Sequence, residues 1–207
     1  RICLIADLHF GSSIDAKELN KVCDEISAQN PDLVILCGDI VDESTSYEEM
    51  SEAFTALGKI KSQMGTYFVY GNHDCQTYVP KPSFTEEQPA KAITDNNIII
   101  LEDDIVNFNN DITIVGRMDA SFSRNSNRAS IQQLLSNIDK NNYIVVFDHQ
   151  PTEYAENSVA GTDLLLSGHT HAGQFWPFNL VLEVIPFNDG VYGYEKIDNM
   201  NTVITSG

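Results

Sequence analysis

The 207-residue chain is short of basic side chains: 12 Lys and Arg stand against 30 Asp and Glu, for a formal charge of −18. Attraction to a nucleic-acid backbone needs clustered Lys and Arg, so this deficit argues against a nucleic-acid scaffold role. No apolar run approaches the ~20 residues that span a bilayer, and nothing resembles a signal peptide. Cysteine is sparse, at Cys3, Cys23, Cys37 and Cys75. The absence of any CxxC pair speaks against both a structural zinc site and a disulfide framework. The first three cysteines fall in apolar settings and read as small core side chains of a reducing compartment. Internal repeats, low-complexity tracts and linkers are missing too. With 42% hydrophobic residues, residues 1–207 are expected to form one domain with a substantial core. Arg1 is not an initiator methionine, and the chain stops just after an apolar alternation. We therefore expect a fragment of a longer chain, cytoplasmic or membrane-associated, any membrane association coming from segments outside it.

What is present is an ordered series of apolar strands with polar tips. Ile2 to Ala6 reads as a strand, plausible as a central one, and runs into Asp7-Leu8-His9. Leu19, Val22, Cys23 and Ile26 mark one face of a helix over Asp15 to Gln29, closed by Pro31. Leu33 to Cys37 is a second strand, ending in Gly38-Asp39-Ile40-Val41-Asp42. Ser46 and Glu49 form a capping box for a helix with Met50, Phe54, Leu57 and Ile60 on its apolar face. Thr66 to Tyr70 is a third strand, running into Gly71-Asn72-His73-Asp74. This alternation favours a parallel sheet with covering helices, whose sites lie outside the carboxyl ends of the strands.

Val79 to Pro89 reads as a surface loop and Glu86 to Asn96 as a short helix. The strands expected at Ile98–Leu101, Ile105–Phe108 and Ile112–Val115 are closely spaced, which points to antiparallel hairpins and a change of sheet. Arg117 to Arg128 is polar, and Ile131, Leu134, Leu135 and Ile138 mark another amphipathic helix. Tyr143 to Phe147 leads into Asp148-His149-Gln150-Pro151. Leu164 to Leu166 leads into Gly168-His169-Thr170-His171. Val181 to Ile185 and Asn201 to Thr205 read as further strands, around the turn Asn188-Asp189-Gly190.

Every histidine of the chain stands in one of these strand-end motifs. Asp7, His9, Asp39, Asn72, His149, His169 and His171 each suit a dull role, such as a turn cap or a structural contact. Together they supply seven N and O donors without a thiolate, enough for two divalent ions and better matched to Mn, Fe or Zn than to Ca. Two such ions can clamp a phosphoryl group and activate water. Asp39, at the tip of the expected central strand, is the candidate bridge between them.

The motifs Asp7-x-His9, Gly38-Asp39-x-x-Asp42, Gly71-Asn72-His73-Asp74, His149-x-Pro151 and Gly168-His169-x-His171 resemble, in order, the signature of the calcineurin-like metallophosphoesterases. That resemblance implies an α/β fold, a four-layer αββα sandwich of two mixed β-sheets flanked by helices. It implies one metal on Asp7, His9, Asp39 and His171, and a second on Asn72, His149, His169 and the shared Asp39. His73 would contact the phosphate and protonate the leaving oxygen, and Asp74 would orient His73. The role of Asp42 stays open. The implied reaction is in-line attack of metal-bound hydroxide on a phosphodiester or pyrophosphate. A phosphomonoesterase or protein phosphatase with the same metals is the alternative, and a non-catalytic scaffold would have lost ligands that are all present here.

A narrower likeness, in Gly168 to Gln174 with Pro177 and Gly190-x-Tyr192-Gly193, is to a bacterial subgroup of membrane-associated phosphodiesterases. Some of its members cleave UDP-2,3-diacylglucosamine, so a nucleotide sugar or lipid-linked phosphate enters as a possible substrate partner. Ala172 departs from that subgroup's pattern. Phe175, Trp176 and Phe178 suit either an apolar wall or simple packing. Arg117, Arg124 and Arg128, the densest basic cluster, suit either a substrate's anionic group or a solvated loop before a helix.

Overall fold

The computed structural model describes residues 1–85, 87–108, 111–121, 128–171 and 188–207. The chain divides into two units, Arg1–Ile100 and Leu101–Gly207. In the first, β1 (Ile2–Ile5), α1 (Ala16–Ala28), β2 (Leu33–Cys37), α2 (Tyr47–Leu57), β3 (Thr66–Val69), α3 (Glu87–Asp95) and β4 (Ile98–Ile100) follow one another. All neighbouring strands pair in parallel, in the order β1-β2-β3-β4. Every residue of β2 and β3 is buried, as the near-continuous apolar runs of an interior parallel strand require. The expectation that Ile2 to Ala6 is central is corrected: β1 ends the order, and Ile2 is exposed.

The helix ends follow from local chemistry. The Asp15 side chain accepts from Glu18 N–H at the start of α1. At α2 both halves of the capping box form, Glu49 N–H donating to Ser46 Oγ and Ser46 N–H to Glu49 Oε2. Helix α2 packs against both α1 and α3. That is the outcome when sequential strands advance in one direction through crossovers of one hand.

The second unit holds β5 (Asp104–Phe108), β6 (Ile112–Gly116), α4 (Ile131–Leu134), β7 (Tyr143–Phe147), α5 (Tyr154–Ala160), β8 (Leu164–Ser167), β9 (Gly193–Ile197) and β10 (Met200–Ile204). Its sheet runs β5-β6-β7-β8-β10-β9 and is mixed. The β5–β6 and β9–β10 pairs are antiparallel; β6–β7, β7–β8 and β8–β10 are parallel. Val115, Ile131, Leu135, Ile144, Val146, Tyr154, Leu165, Met200 and Ile204 form its apolar cluster.

Three expectations change. Of the two sheets expected to be mixed, the first is wholly parallel among the described residues. Ile98 to Leu101 belongs to no hairpin: β4 completes the first sheet, and the change of sheet falls at Leu101. The strand expected at Val181 to Ile185 lies outside the described residues, as do Ala172, Gly173, Gln174, Phe175, Trp176, Pro177 and Phe178. Sequence patterning missed α5, a two-turn helix, and β9, whose three central residues are all exposed. Neither carries an apolar periodicity.

Cys23 and Cys37 are buried as expected, whereas Cys3, on the end strand β1, is partly exposed rather than in the core, as is Cys75. Burial, followed by the charge of Asp24, pushes the Cys23 thiol up to about 11. Its thiolate is then roughly 0.1% of the population at pH 8. A thiol reagent at pH 8 is expected to modify Cys23 and Cys37 only after denaturation, with faster labelling confined to Cys3 and Cys75. Mass mapping of labelled peptides checks this; rapid native labelling at Cys23 would contradict it.

Candidate metal centre

Because β1, β2 and β3 are parallel, their carboxyl ends lie along one edge of the first sheet. The three loops that leave that edge are bonded to one another. Asp7 N–H donates to Gly38 O, His9 N–H to Asp39 O and Phe10 N–H to Ile40 O, at 3.0, 3.1 and 3.0 Å. The Asp74 carboxylate, fully buried, closes the bundle. Its Oδ2 accepts from Gly71 N–H and Asp39 N–H at 2.7 and 2.9 Å, and its Oδ1 from Ile40 N–H and Val41 N–H at 2.9 and 3.2 Å. Four backbone donors on one carboxylate make Asp74 the clasp of the β2 and β3 loops.

This clasp presents Asp7, His9 and Asp39. One ligand atom from each lies within 4.8 Å of the others, and both carboxylates are nearly inaccessible, at 3% and 1%. Asp39 Oδ1 accepts from His73 N–H at 2.9 Å, which fixes the carboxylate plane. Gly71 must be glycine here, since a Cβ on it would fall 2.3 Å from Asp39 Oδ1.

Asp7, His9 and Asp39 all have left-handed backbones, with φ of 55°, 42° and 51°. In non-glycine residues that conformation costs roughly 1–3 kcal/mol each and persists where its surroundings impose it, often at functional sites. In the second unit His169 and His171 are left-handed as well, at 73° and 47°.

Asp42 and Glu43, on the same loop, meet two imidazoles. Asp42 Oδ2 lies 3.3 Å from His9 Nδ1, and Ser12 Oγ donates to the same oxygen at 3.2 Å. Burial alone would raise the Asp42 carboxyl, but the bonds from Ser44 and Ser12 and the neighbouring His9 outweigh it and hold the group below its ordinary range. Glu43 Oε2 lies 2.6 Å from His73 Nδ1. The expected role of Asp74 is thereby corrected. The carboxylate at His73 Nδ1 is Glu43, because both Asp74 oxygens are taken up by backbone N–H groups. Sequence reasoning missed Glu43, although it follows Asp42 directly at the tip of a buried strand. Gln76, buried with φ 51°, holds this loop by donating from Nε2 to Asp42 O and Thr45 O, both at 2.7 Å.

In the second unit, β7 and β8 are parallel neighbours, so Asp148-His149 and Gly168 to His171 leave the same edge. Gly168 N–H donates to His149 O at 3.0 Å. His169 Nδ1 and His149 Nε2 lie 3.3 Å apart, with the rings at 76°. Two ring nitrogens facing one another need a proton or a shared cation between them. Asp148, which precedes His149, is fully buried and paired with Arg128. Complete burial raises the Asp148 carboxyl, and the charges of Arg128 and Arg117 oppose that rise.

Arg117 and Arg128 do not form a substrate-facing surface. The Arg117 side chain is wholly buried, with Nε 3.2 Å from Asp103 Oδ1, Nη1 3.2 Å from Glu153 Oε2, and Nη2 donating to Ala129 O at 2.9 Å. Arg128 donates to Met118 O at 2.6 Å besides its pairing with Asp148. Both were expected in a substrate pocket or a solvated loop; instead each guanidinium is buried and pairs with carboxylates of the chain, Asp103 and Glu153 for Arg117 and the buried Asp148 for Arg128. Arg124 lies outside the described residues.

The donors present fit divalent cations. Asp7 and Asp39 are buried carboxylates within 4.8 Å, and such like charges repel unless a proton or cation lies between them. Asn72 Oδ1 is buried with no hydrogen-bond partner among the described residues, the condition of an acceptor reserved for a ligand.

The fold, an α/β arrangement of two sheets with flanking helices, is shared with purple acid phosphatase from yellow lupin (TM-score 0.59, 11% identity, covering 100% of this chain and 43% of that one). Residues 1–173 match the calcineurin-like phosphoesterase family, and the chain belongs to it. That is a family of metal-dependent phosphoester hydrolases. An uncharacterised metallophosphoesterase of Helicobacter pylori is 29% identical over 187 residues, covering 89% of this chain and 48% of that protein. The uncharacterised metallophosphoesterase YkoQ of Bacillus subtilis is 30% identical over 178 residues, covering 84% and 62%. The chain thus spans about half to three-fifths of the curated relatives it matches.

Proposed function

We propose that this chain is a catalytic domain that hydrolyses a phosphodiester or pyrophosphate with two divalent metal ions. The observation that carries the reading is the cluster of His9 with the buried carboxylates Asp7 and Asp39, all three on left-handed backbones. With His171 these residues would hold one ion. Asn72, His149, His169 and a shared Asp39 would hold the other. The pairing of His169 with His149 at 3.3 Å supports assigning His169 and His171 to different ions. Bound ions of this kind supply Lewis-acid activation of water and offset charge on the phosphoryl oxygens.

The chain's own residues do the rest. Asp42 faces His9 Nδ1 at 3.3 Å and so orients the imidazole that would meet the ion through Nε2. The His73 N–H holds Asp39 Oδ1 at 2.9 Å and so fixes the carboxylate that would be shared. Glu43 occupies His73 Nδ1, so Nε2 is the nitrogen turned to substrate. With the His73 side chain 33% exposed, that nitrogen can give a proton to the leaving oxygen.

Metal analysis with a substrate panel tests the reading. Chelation is expected to abolish hydrolysis of bis(p-nitrophenyl) phosphate, and Mn, Fe or Zn salts to restore it at two equivalents per chain. Diesters are expected to turn over faster than matched monoesters. Full diester turnover by metal-free protein would overturn the proposal, and faster turnover of monoesters would move it to the phosphatase reading.

A further inference from the structure

Tyr78 has no part in the chemistry above, yet it stands beside the residue that would protonate the leaving group. Its ring is 60% exposed and its centroid lies 5.2 Å from that of His73, the planes tilted by 54°. On another side of His73, the His9 ring lies at 5.5 Å. Exposed tyrosines are ordinary when they occur singly; the neighbour makes this one informative.

The loop that carries Tyr78 is built to hold it in place. Gln76 N–H donates to His73 O at 2.8 Å and Val79 N–H to Gln76 O at 3.4 Å, so residues 73–79 are closed by two consecutive turns. Gln76 Oε1 then accepts from Ser83 N–H at 2.5 Å. The Gln76 amide therefore binds this loop to the one bearing Asp42 and Glu43. Pro80 and Pro82 further restrict the backbone between Tyr78 and Ser83. An exposed aromatic ring on a pinned loop is preorganised for a ligand, because little freedom remains to be lost on binding.

Geometry then limits what the ring meets. Nδ1 of His73 is occupied by Glu43, so the leaving oxygen must approach Nε2 to within ~2.6–3.2 Å for proton transfer. The atoms attached to that oxygen then lie within a ring's width of His73. Aromatic rings interact at centroid separations of about 4.5–7 Å. With the Tyr78 and His73 centroids 5.2 Å apart, a planar group on the leaving oxygen can reach that range of Tyr78.

We propose that Tyr78 is a specificity-determining residue, a stacking platform that selects phosphoesters whose leaving alcohol carries an aromatic or heteroaromatic ring close to the scissile oxygen. The inference rests on the role given to His73 above and names the substrate class of that same site.

The test compares the metal-loaded wild type with Tyr78→Ala, Tyr78→Phe and His73→Ala. The probes are bis(p-nitrophenyl) phosphate and the wholly aliphatic diester glycerophosphoethanolamine. Dividing each variant by wild type for the same substrate removes the intrinsic difference between leaving groups. Tyr78→Ala is expected to lose about tenfold in kcat/KM on the aryl diester, the scale of one base–aromatic stack, and less than twofold on the aliphatic one. Tyr78→Phe retains the aryl preference, since the ring and not the hydroxyl is used. In calorimetric binding, Tyr78→Ala weakens phenyl phosphate by a similar factor and leaves glycerol phosphate unchanged. Equal losses on both diesters, or none on either, would overturn the platform while leaving His73 untouched. A His73→Ala protein of full activity would instead remove the reading on which the inference rests.

Discussion

Asp39→Asn is expected to lower turnover of bis(p-nitrophenyl) phosphate by on the order of 10³ or more and to reduce bound metal, without unfolding the protein. The amide oxygen of Asn can still accept from His73 N–H, as Asp39 Oδ1 does at 2.9 Å, so the loops stay clasped. What is lost is the negative charge and the second carboxylate oxygen. His73→Ala is the complementary variant. It should keep its metal and lose roughly 10²–10⁴ in kcat, the usual contribution of a positioned proton donor. The loss should be smallest for p-nitrophenolate, which leaves readily, and largest for aliphatic alcohols. Metal analysis beside kcat separates the two roles. An Asp39→Asn protein with full metal and full turnover, or a His73→Ala protein that hydrolyses aliphatic esters at wild-type rate, would refute the assignment.

Arg117→Met is expected to be the most destabilising single change in the second unit. The substitution keeps much of the volume but leaves Asp103, with its side chain 10% exposed, without its cation, while Glu153, 39% exposed, keeps Arg128 at 3.6 Å. Asp103 also accepts from Met118 N–H at 3.1 Å and Ala129 N–H at 2.7 Å, so its charge cannot simply turn to solvent. Removing one partner of a buried ion pair costs ~3–5 kcal/mol, which for a domain of this size lowers Tm by roughly 10 °C. Adding Asp103→Asn should recover part of that loss, because the orphaned charge is then removed as well. Thermal unfolding of the single and double variants checks this. A single variant with unchanged Tm and a raised KM would return Arg117 to the substrate pocket.

Much of the site was legible in the sequence because each candidate residue follows an apolar run. A buried strand must end where the chain reaches the sheet edge. Asp7, Asp39, Asn72, His149 and His169 could therefore be placed at strand tips without knowing how the strands pair. Second-layer contacts were less legible. Asp42 and Glu43 are adjacent acids with nothing in spacing to separate them, yet one faces His9 and the other His73. Asp74 beside His73 invited pairing with it, whereas the closure of the β2 and β3 loops drew its carboxylate onto backbone N–H groups. The arginine cluster was misread for a related reason. Charge density along a chain says nothing of burial, and the partners of Arg117 lie 14 and 36 positions away.

Sequence by itself determined the parallel alternation of β1, β2 and β3 with their helices, the capping box of α2 and the set of candidate metal-ligating residues, since these depend on local periodicity and short-range hydrogen bonds. Tertiary structure alone decided which carboxylate serves which imidazole and placed the Tyr78 ring beside His73. It also put Asp7, His9 and Asp39 in left-handed conformations. Those features arise from contacts between loops distant in sequence, where backbone N–H groups and buried charges must find partners that the chain order does not specify.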